Sequence, residues 1–453
     1  MRETVPGDCS SRRSPGLASK DLVLRSRGAV MNPALPSKRR SLILLTAFAV
    51  TVPPLVTAVL SSSATGSPNP AHDPVLVGRA VLPWDTFAGP PPAGAFLVPG
   101  PGTVNGVQFP LPAQPVEGFS AIVDGGSPGD LVAMPDNGFG GKANSVDFLI
   151  RAYSVRPRYK TAGGGPGTVE VGDFVSFRDP DRRIGFPIVR EGTADRLLTG
   201  GDIDPESLQR GRRHDLWVGD EFGPWILHFD GRGRLLDPPF ALPGNLMSPN
   251  NPHLGGRPAT HPNSRGLEGM AISPDRKYLY AALEGALLTD ADPRRRFVYE
   301  FSTRREEFTG RVFEYRTEQP GHFLSDLQAL DRHRLIAIER DGGSGLNAQF
   351  RRVYRVDLRR TTADGFLEKA QVVDLAAIPD PDLVSLPPLH AGDVGLGDPF
   401  RVTCESVEAV HVVNGHRIVV GCDNNLPNSG RNPGRPDDNE FIVVDVPLRA
   451  GGG

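Results

Sequence analysis

Short apolar segments recur along the chain in pairs, and acidic residues bracket each pair. In residues 265–284, Glu268 precedes one apolar segment, Pro274 and Asp275 form a turn, and Glu284 closes a second segment. Apolar runs of about five residues that end at turn residues are typical of strands joined by hairpins. The pattern predicts two short antiparallel strands with a carboxylate at each end.

The same unit occurs five times in one order: acid, strand, turn, strand, acid. The two acids of a unit are 13 to 19 residues apart. They are Glu117 and Asp136, Asp204 and Asp220, Glu268 and Glu284, Asp326 and Glu339, and Glu408 and Asp423. Repeats of this kind predict a propeller or a solenoid.

Additional strand-like segments lie between the units, at 148–155, 169–177, 225–230, 297–301, 311–315, 352–357 and 441–446. They bring the repeat to four strands, the size of a propeller blade. An early strand at 75–82 is expected to pair with the last strand near Phe441, which removes the open sheet edge. Two steps of 84 residues between closing acids leave room for a degenerate blade. We therefore expect an all-β, six-bladed propeller, with five or seven blades as alternatives.

Composition agrees with many short strands, since the 453 residues include 53 glycines and 45 prolines. The net charge of −3 gives no indication of nucleic-acid binding. Residues 1–30 are polar, and Met31 is the expected start of a secretory signal with a basic region at 38–40 and an apolar run at 41–60. The alternative is a membrane anchor formed by 41–60. The expected organisation is an extension plus signal peptide at 1–64 (signal about 31–64), a linker with the first strand at 65–110, and a propeller domain at 111–449.

Two cysteines, Cys404 and Cys422, bracket the last inner hairpin. Export to an oxidising compartment predicts a disulfide between them, and two buried thiols are the alternative.

Carboxylates at the ends of innermost strands would meet at the mouth of a propeller channel. Like charges brought close together are costly, and a hard divalent cation such as Ca²⁺ would relieve the repulsion. Alternatively, the acids accept hydrogen bonds from turn amides. Lys142, Arg265 and Arg340 adjoin several of the acids and would suit an anionic oxyester. They could equally form solvated ion pairs.

Residues 125–129 fit the pattern Gly-x-Ser-x-Gly around Ser127. A nucleophile elbow requires a strand-to-helix turn, whereas this stretch is the tight turn of the first hairpin. A carboxylesterase that uses Ser127 is therefore only a third alternative.

Several of these motifs together resemble the bacterial phytase-like family, whose members are described as having esterase-like activity of phytase. The resemblance covers about residues 111–447. It rests on Glu117-Gly-Phe-Ser, Asp136-Asn-Gly-Phe-Gly, Asp220-Glu-Phe-Gly-Pro-Trp-Ile, Gly266-Leu-Glu-Gly-Met-Ala-Ile-Ser-Pro-Asp, Glu339-Arg-Asp-Gly, and Glu408-Ala with Asp423-Asn-Asn. It implies an exported β-propeller in which Ca²⁺ held by channel carboxylates binds substrate phosphates and activates a water.

The resulting hypothesis is a secreted, calcium-dependent phosphoesterase. Glu268 and Glu339 would be catalytic, and Lys142, Arg265 and Arg340 would bind substrate. The metal ligands would be Asp136, Asp220, Glu221, Glu268, Glu284, Glu339, Glu408 and Asp423. The expected partner is a small anionic phosphoester, with no nucleic acid, no stable membrane insertion after signal cleavage, and a monomeric chain. The alternative is a non-catalytic propeller that binds a glycan, peptide or cell-envelope partner with structural calcium.

Overall fold

The computed structural model describes residues 73–97, 100 and 102–448, which belong to one compact unit, Ser67–Gly453. These residues form strands and one short 3-10 helix, Gly345–Asn347. The strands are β1 (Val75–Leu82), β2 (Thr103–Val104), β3 (Val107–Gln108), β4 (Phe119–Asp124), β5 (Leu131–Pro135), β6 (Arg151–Arg158), β7 (Thr168–Ser176), β8 (Pro205–Arg210), β9 (Leu216–Asp220), β10 (Trp225–Phe229), β11 (Phe240–Ala241), β12 (Leu267–Ile272), β13 (Tyr278–Leu283), β14 (Arg295–Ser302), β15 (Glu307–Arg316), β16 (Phe323–Ala329), β17 (Arg334–Arg340), β18 (Arg351–Thr361), β19 (Leu367–Asp374), β20 (Ser406–Asn414), β21 (Arg417–Asp423) and β22 (Asn439–Asp445).

Twenty of these strands form five antiparallel, four-stranded blades. Blade 1 is β4–β7, blade 2 is β8–β11, blade 3 is β12–β15 and blade 4 is β16–β19. Blade 5 consists of β20, β21, β22 and β1, in that order. The innermost strands β4, β8, β12, β16 and β20 contact one another in sequence, and β20 contacts β4 again. This closed ring of sheets is a β-propeller, as the repeats predict.

The sixth blade expected from the sequence is not present among the described residues. Each of the two long steps between closing acids contains a long connection instead of a further blade. Residues 177–204 link blade 1 to blade 2, and residues 375–405 link blade 4 to blade 5. The blade count is therefore five, one of the two alternatives.

The ring is closed by the N-terminal strand, as expected. Strand β1 pairs antiparallel with β22 from Val75 opposite Asp445 to Leu82 opposite Asn439. It also meets β7 of blade 1 in a parallel bridge between Val81 and Thr168. Both ends of the described chain thus contribute to blade 5, which leaves no gap between the last blade and the first.

Apolar side chains between adjacent blades form the core. Trp217 of blade 2 packs with Met270 and Phe301 of blade 3, and its ring centroid lies 5.5 Å from that of Phe301. The innermost strands of blades 3 and 4 approach so closely that a Cβ on Gly269 would lie 2.1 Å from the carbonyl oxygen of Ser325. The absence of a side chain at Gly269 permits the tight ring that brings the channel side chains together.

The expected signal peptide and the alternative membrane anchor lie outside the described residues. Within the described ranges, no helix has the length and apolar character needed to cross a membrane. The three domain boundaries expected from the sequence stay predictions.

A buried ion-pair cluster fastens the closing strand. Glu440 on β22 accepts hydrogen bonds from Arg79 on β1 and from Arg431. Burial alone would raise the pKa of Glu440, but the charges of Arg431 and Arg79 outweigh burial and lower this pKa to about 2.

We expect Glu440→Gln to lower the free energy of unfolding by about 3–5 kcal/mol, because two buried arginines lose their charge partner. The folded-state pKa lies below the ordinary value of 4.5. The stabilisation is therefore fully present above about pH 4.5 and is lost as the pH falls towards 2. Urea unfolding of both proteins at neutral and acidic pH measures the difference. The exposed pair of Glu170 and Arg158 supplies the control, since Glu170→Gln should cost under about 1 kcal/mol.

Candidate functional site

Each innermost strand carries a β-bulge at the same place. The register with the neighbouring strand shifts between Phe119 and Ala121, Pro205 and Ser207, Leu267 and Met270, Leu324 and Leu327, and Val407 and Ala409. A bulge adds a residue to one strand and redirects its side chain. The first residues of the five bulges are Ser120, Glu206, Glu268, Ser325 and Glu408.

A second set of equivalent positions lies on the neighbouring strands. In each blade, the last residue before the bulge pairs with a residue of the neighbouring strand. The second position is the residue directly after that partner. The five residues are Asp136, Glu221, Glu284, Arg340 and Asp423. Four blades thus place a carboxylate at this position and blade 4 places a guanidinium.

Eight of these ten side chains line one cavity of about 310 Å³ at the propeller axis; the two serines do not. Asp204, Glu405, Arg265 and Phe323 also line it. The acids along its wall are Asp136, Asp204, Glu206, Glu221, Glu268, Glu284, Glu405, Glu408 and Asp423, against the two cations Arg265 and Arg340. The cavity is therefore strongly acidic.

Most of the site residues predicted from the sequence meet here. They are Asp136, Glu221, Arg265, Glu268, Glu284, Arg340, Glu408 and Asp423. Their predicted roles as ligands or substrate contacts stay predictions, but the propeller brings them to one cavity. Glu339, Asp220 and Lys142 do not line it.

Glu339 points to the other side of its strand. Its carboxylate accepts hydrogen bonds from the hydroxyl of Tyr315 (2.8 Å), the Nζ of Lys369 (2.8 Å) and the amide of Glu318 (2.6 Å). His322 Nδ1 also lies 2.9 Å from it. Successive side chains of a strand alternate between its faces, so Arg340, not Glu339, faces the axis. The site described here does not include Glu339.

Asp220 and Lys142 lie behind the cavity wall. Asp220 accepts hydrogen bonds from the amides of Asp204 (2.8 Å) and Gly223 (2.7 Å), which hold the turn after β9. Lys142 donates to the carbonyl of Asn250 at 3.2 Å and lies 5.2 Å from the ring centroid of Phe222. Neither side chain lines the cavity.

Three cavity acids, Asp204, Glu206 and Glu405, are absent from the predicted site residues. Asp204 opens the second sequence unit, and Glu206 falls at the bulge position that Glu268 and Glu408 occupy in their own blades. The spacing from Glu206 to Glu221 equals that from Glu408 to Asp423, and this match could have identified Glu206. No sequence signal marks Glu405, which lies at the end of the long connection before β20.

The carboxylates form three overlapping triplets. Their members are Asp136, Asp204 and Glu206; Glu206, Glu268 and Glu408; and Glu221, Glu268 and Glu284. In each triplet, one oxygen from each residue lies within 4.8 Å of the others. Buried oxygen donors at this spacing suit a hard cation such as Ca²⁺.

Burial is the main influence on these acids, and repulsion from their neighbours adds to it. Burial and then the charge of Asp423 raise the pKa of Asp136 well above its usual range. Burial and then the charge of Glu268 raise the pKa of Glu206 well above its usual range. Burial raises the pKa of Asp204 to about 6. Ionisation of the whole set is thus unfavourable unless positive charge is supplied.

The two arginines supply some of that charge on the side of blades 3 and 4. Arg340 donates to Glu284 at 2.8 Å and to Glu408 at 2.7 Å, and its Nε donates to Ser325 at 2.9 Å. Arg265 donates through Nη1 to Glu284 at 2.8 Å. Its guanidinium carbon lies 3.8 Å from the ring centroid of Phe323, so the ring fixes the plane of the guanidinium.

Glu117, the first acid of the first unit, is fully buried beside the cavity. Neither carboxylate oxygen has a hydrogen-bond partner among the described residues. Burial and then the charge of Asp423 raise its pKa, against a smaller opposing effect of the Leu426 amide.

The residue after Glu117, Gly118, has a φ of +66°, and a Cβ there would lie 3.1 Å from an oxygen of Asp136. Glycine therefore permits the acids of blades 1 and 5 to converge.

A disulfide joins Cys404 to Cys422, as expected. Each cysteine directly precedes a cavity acid, Glu405 or Asp423. The bond ties the end of the 375–405 connection to β21 beside the cavity.

The fold and cavity define a β-propeller with a carboxylate-lined axial site. The family described as "Phytase-like: Esterase-like activity of phytase" matches residues 114–426, more than half of the chain. The chain belongs to this family. It is also 29% identical over 117 residues to an uncharacterized secreted protein of Arthroderma benhamiae. That match covers 21% of this chain and only 22% of the relative.

Similar solved structures are more distant. A protein of unknown function from Dyadobacter fermentans is 11% identical, covers 82% of this chain and 99% of its own, and gives a TM-score of 0.37. Virginiamycin B lyase from Staphylococcus aureus is 10% identical, with 73% and 95% coverage and a TM-score of 0.29. Nothing about activity follows from likenesses this distant.

We expect replacement of both Cys404 and Cys422 by serine to lower the free energy of unfolding by about 3 kcal/mol. The two cysteines are 18 residues apart in sequence, and closure of a loop of this size restricts the unfolded chain by about that amount. Denaturant unfolding with and without a thiol reductant measures the effect. The reductant should destabilise only the wild type. Equal stability of the two proteins in the absence of reductant would contradict the expectation.

Proposed function

We propose that the chain is an exported, cation-dependent phosphoesterase that uses the axial cavity. The observation that carries the proposal is the convergence of three carboxylate triplets on a cavity that also contains two arginines. Membership of the phytase-like family supports hydrolysis of an ester. The disulfide and the secreted relative support export.

The cation would bind among the cavity carboxylates, and the three triplets are its candidate sites. Bound Ca²⁺ would supply the positive charge that attracts a phosphate group and makes a water more acidic. Glu268 belongs to two of the triplets, so its carboxylate is placed to accept a proton from an attacking water.

Arg265 is the group best placed to bind the substrate. Its side chain is 30% exposed, and its Nε and Nη2 make no hydrogen bond to a described residue. These two N–H groups could donate side by side to two phosphate oxygens. Arg340 is only 5% exposed, and all three of its nitrogens already donate within the protein. Its role is to position Glu284 and Glu408.

Phosphate release from phytate and from 4-nitrophenyl phosphate tests the proposal. Turnover should disappear with a calcium chelator and return when calcium is added. We expect Glu268→Gln to lower kcat at least about 100-fold, the usual effect of losing a general base, with little change in the melting temperature.

Glu339→Gln is the matched control, because Glu339 is another buried glutamate but lies outside the cavity. It should lower stability by about 3 kcal/mol while the folded protein keeps its kcat. Turnover that resists the chelator, or that survives in Glu268→Gln, would contradict the proposal. Calcium binding without turnover on any phosphoester would favour the non-catalytic binding module.

Ser127→Ala should leave ester hydrolysis unchanged. Ser127 lies in the exposed turn between β4 and β5, directly before Pro128. Asp124 and His411 line the same groove, but among the described residues no base is hydrogen-bonded to the Ser127 hydroxyl. Hydrolysis of 4-nitrophenyl acetate by both proteins checks this; a loss in the variant would support the serine esterase.

A further inference from the structure

The ring of equivalent cavity positions is not uniform, because blade 4 carries Arg340 where every other blade carries an acid. The guanidinium bridges Glu284 of blade 3 and Glu408 of blade 5. It therefore places a fixed positive charge between carboxylates of two different blades. A divalent cation would otherwise be the natural partner of these carboxylates.

The three carboxylate triplets differ in whether a member is bonded to Arg340. Glu408 is a member of one, and Glu284 is a member of another, so both contain a carboxylate that already accepts a hydrogen bond from Arg340. The triplet of Asp136, Asp204 and Glu206 contains no partner of either cavity arginine. A cation there would not have to compete with a guanidinium.

A second observation points to a cation at the same triplet. Glu117 is fully buried, and neither of its oxygens has a hydrogen-bond partner among the described residues. It directly precedes Gly118, where a Cβ would lie 3.1 Å from an oxygen of Asp136. A buried carboxylate without a hydrogen bond is costly unless positive charge lies nearby. The triplet is held in place by the amide of Gly138, which donates to Asp136 at 2.7 Å, and by the amide of Asn137, which donates to Asp204 at 3.2 Å.

We propose that one Ca²⁺ binds to Asp136, Asp204 and Glu206, on blades 1 and 2, and that Arg340 replaces a second cation on the side of blades 3 to 5. This rests on the proposed function and makes it more specific. The cavity then has a metal half and an arginine half, and the substrate phosphate would lie between the metal and Arg265.

Calorimetric titration of the metal-free protein with Ca²⁺ alone tests the division. We expect one equivalent for the wild type. Asp204→Asn should weaken binding at least about tenfold, since it removes a charged ligand. The matched variant Glu284→Gln neutralises an equally buried cavity acid and should leave the affinity within about threefold. Arg340→Gln should bind a second equivalent, whereas Arg340→Lys should still bind one.

Thermal unfolding with and without Ca²⁺ gives an independent readout, because a bound cation stabilises the folded state. The calcium-induced rise in melting temperature should vanish in Asp204→Asn and persist in Glu284→Gln. If Arg340→Gln does not fold, this pair of variants decides the question. Weaker binding in Glu284→Gln than in Asp204→Asn, or a folded Arg340→Gln with only one equivalent, would overturn the division but not the proposed function. A wild type that binds no Ca²⁺ would overturn both.

Discussion

Repulsion among carboxylates that share a buried cavity is the constraint on which the site depends. The five innermost strands press together at the axis, and in three of them the bulge places a glutamate in the cavity wall. Nine acids line the resulting cavity beside two arginines. Such a concentration of like charge opposes folding, so it must be relieved by protons, by guanidinium groups or by bound cations. The structure uses guanidinium groups on one side, and the proposed calcium would act on the other.

The apolar contacts between blades hold the acids in place against this repulsion. Small residues at the axis, such as Gly118 and Gly269, allow the strands to approach, while aromatic contacts such as that of Trp217 with Phe301 lie farther out. A rigid frame of this kind fixes the distances between charged groups before any ligand arrives. Preorganised charges of this kind are effective in both cation binding and catalysis.

Much of this arrangement follows from the sequence. The repeated order of acids and strands predicts the propeller, the pairing of β1 with β22 and most of the cavity acids. Two predicted residues that lie outside the cavity differ from the cavity residues in strand parity. Glu339 and Asp220 each precede the cavity residue of their strand by one position, and a shift of one residue moves a side chain to the opposite face. The bulges that set this parity depend on strand pairing, which a single sequence does not specify. The described residues form five blades instead of the favoured six, because the long connections 177–204 and 375–405 lengthen two of the steps between closing acids.

The pairing of β1 with β22 has a consequence for how the protein is made. The two strands are separated by more than 350 residues, so blade 5 is incomplete until nearly the whole polypeptide has been synthesised. Contacts between such distant segments form slowly. If the chain is exported as proposed, the acids of the early blades would leave the cell as separate, hydrated groups and meet only after the C-terminal strand has crossed. A chain that lacks β1 or β22 would have an incomplete blade 5 even though every cavity acid was still present.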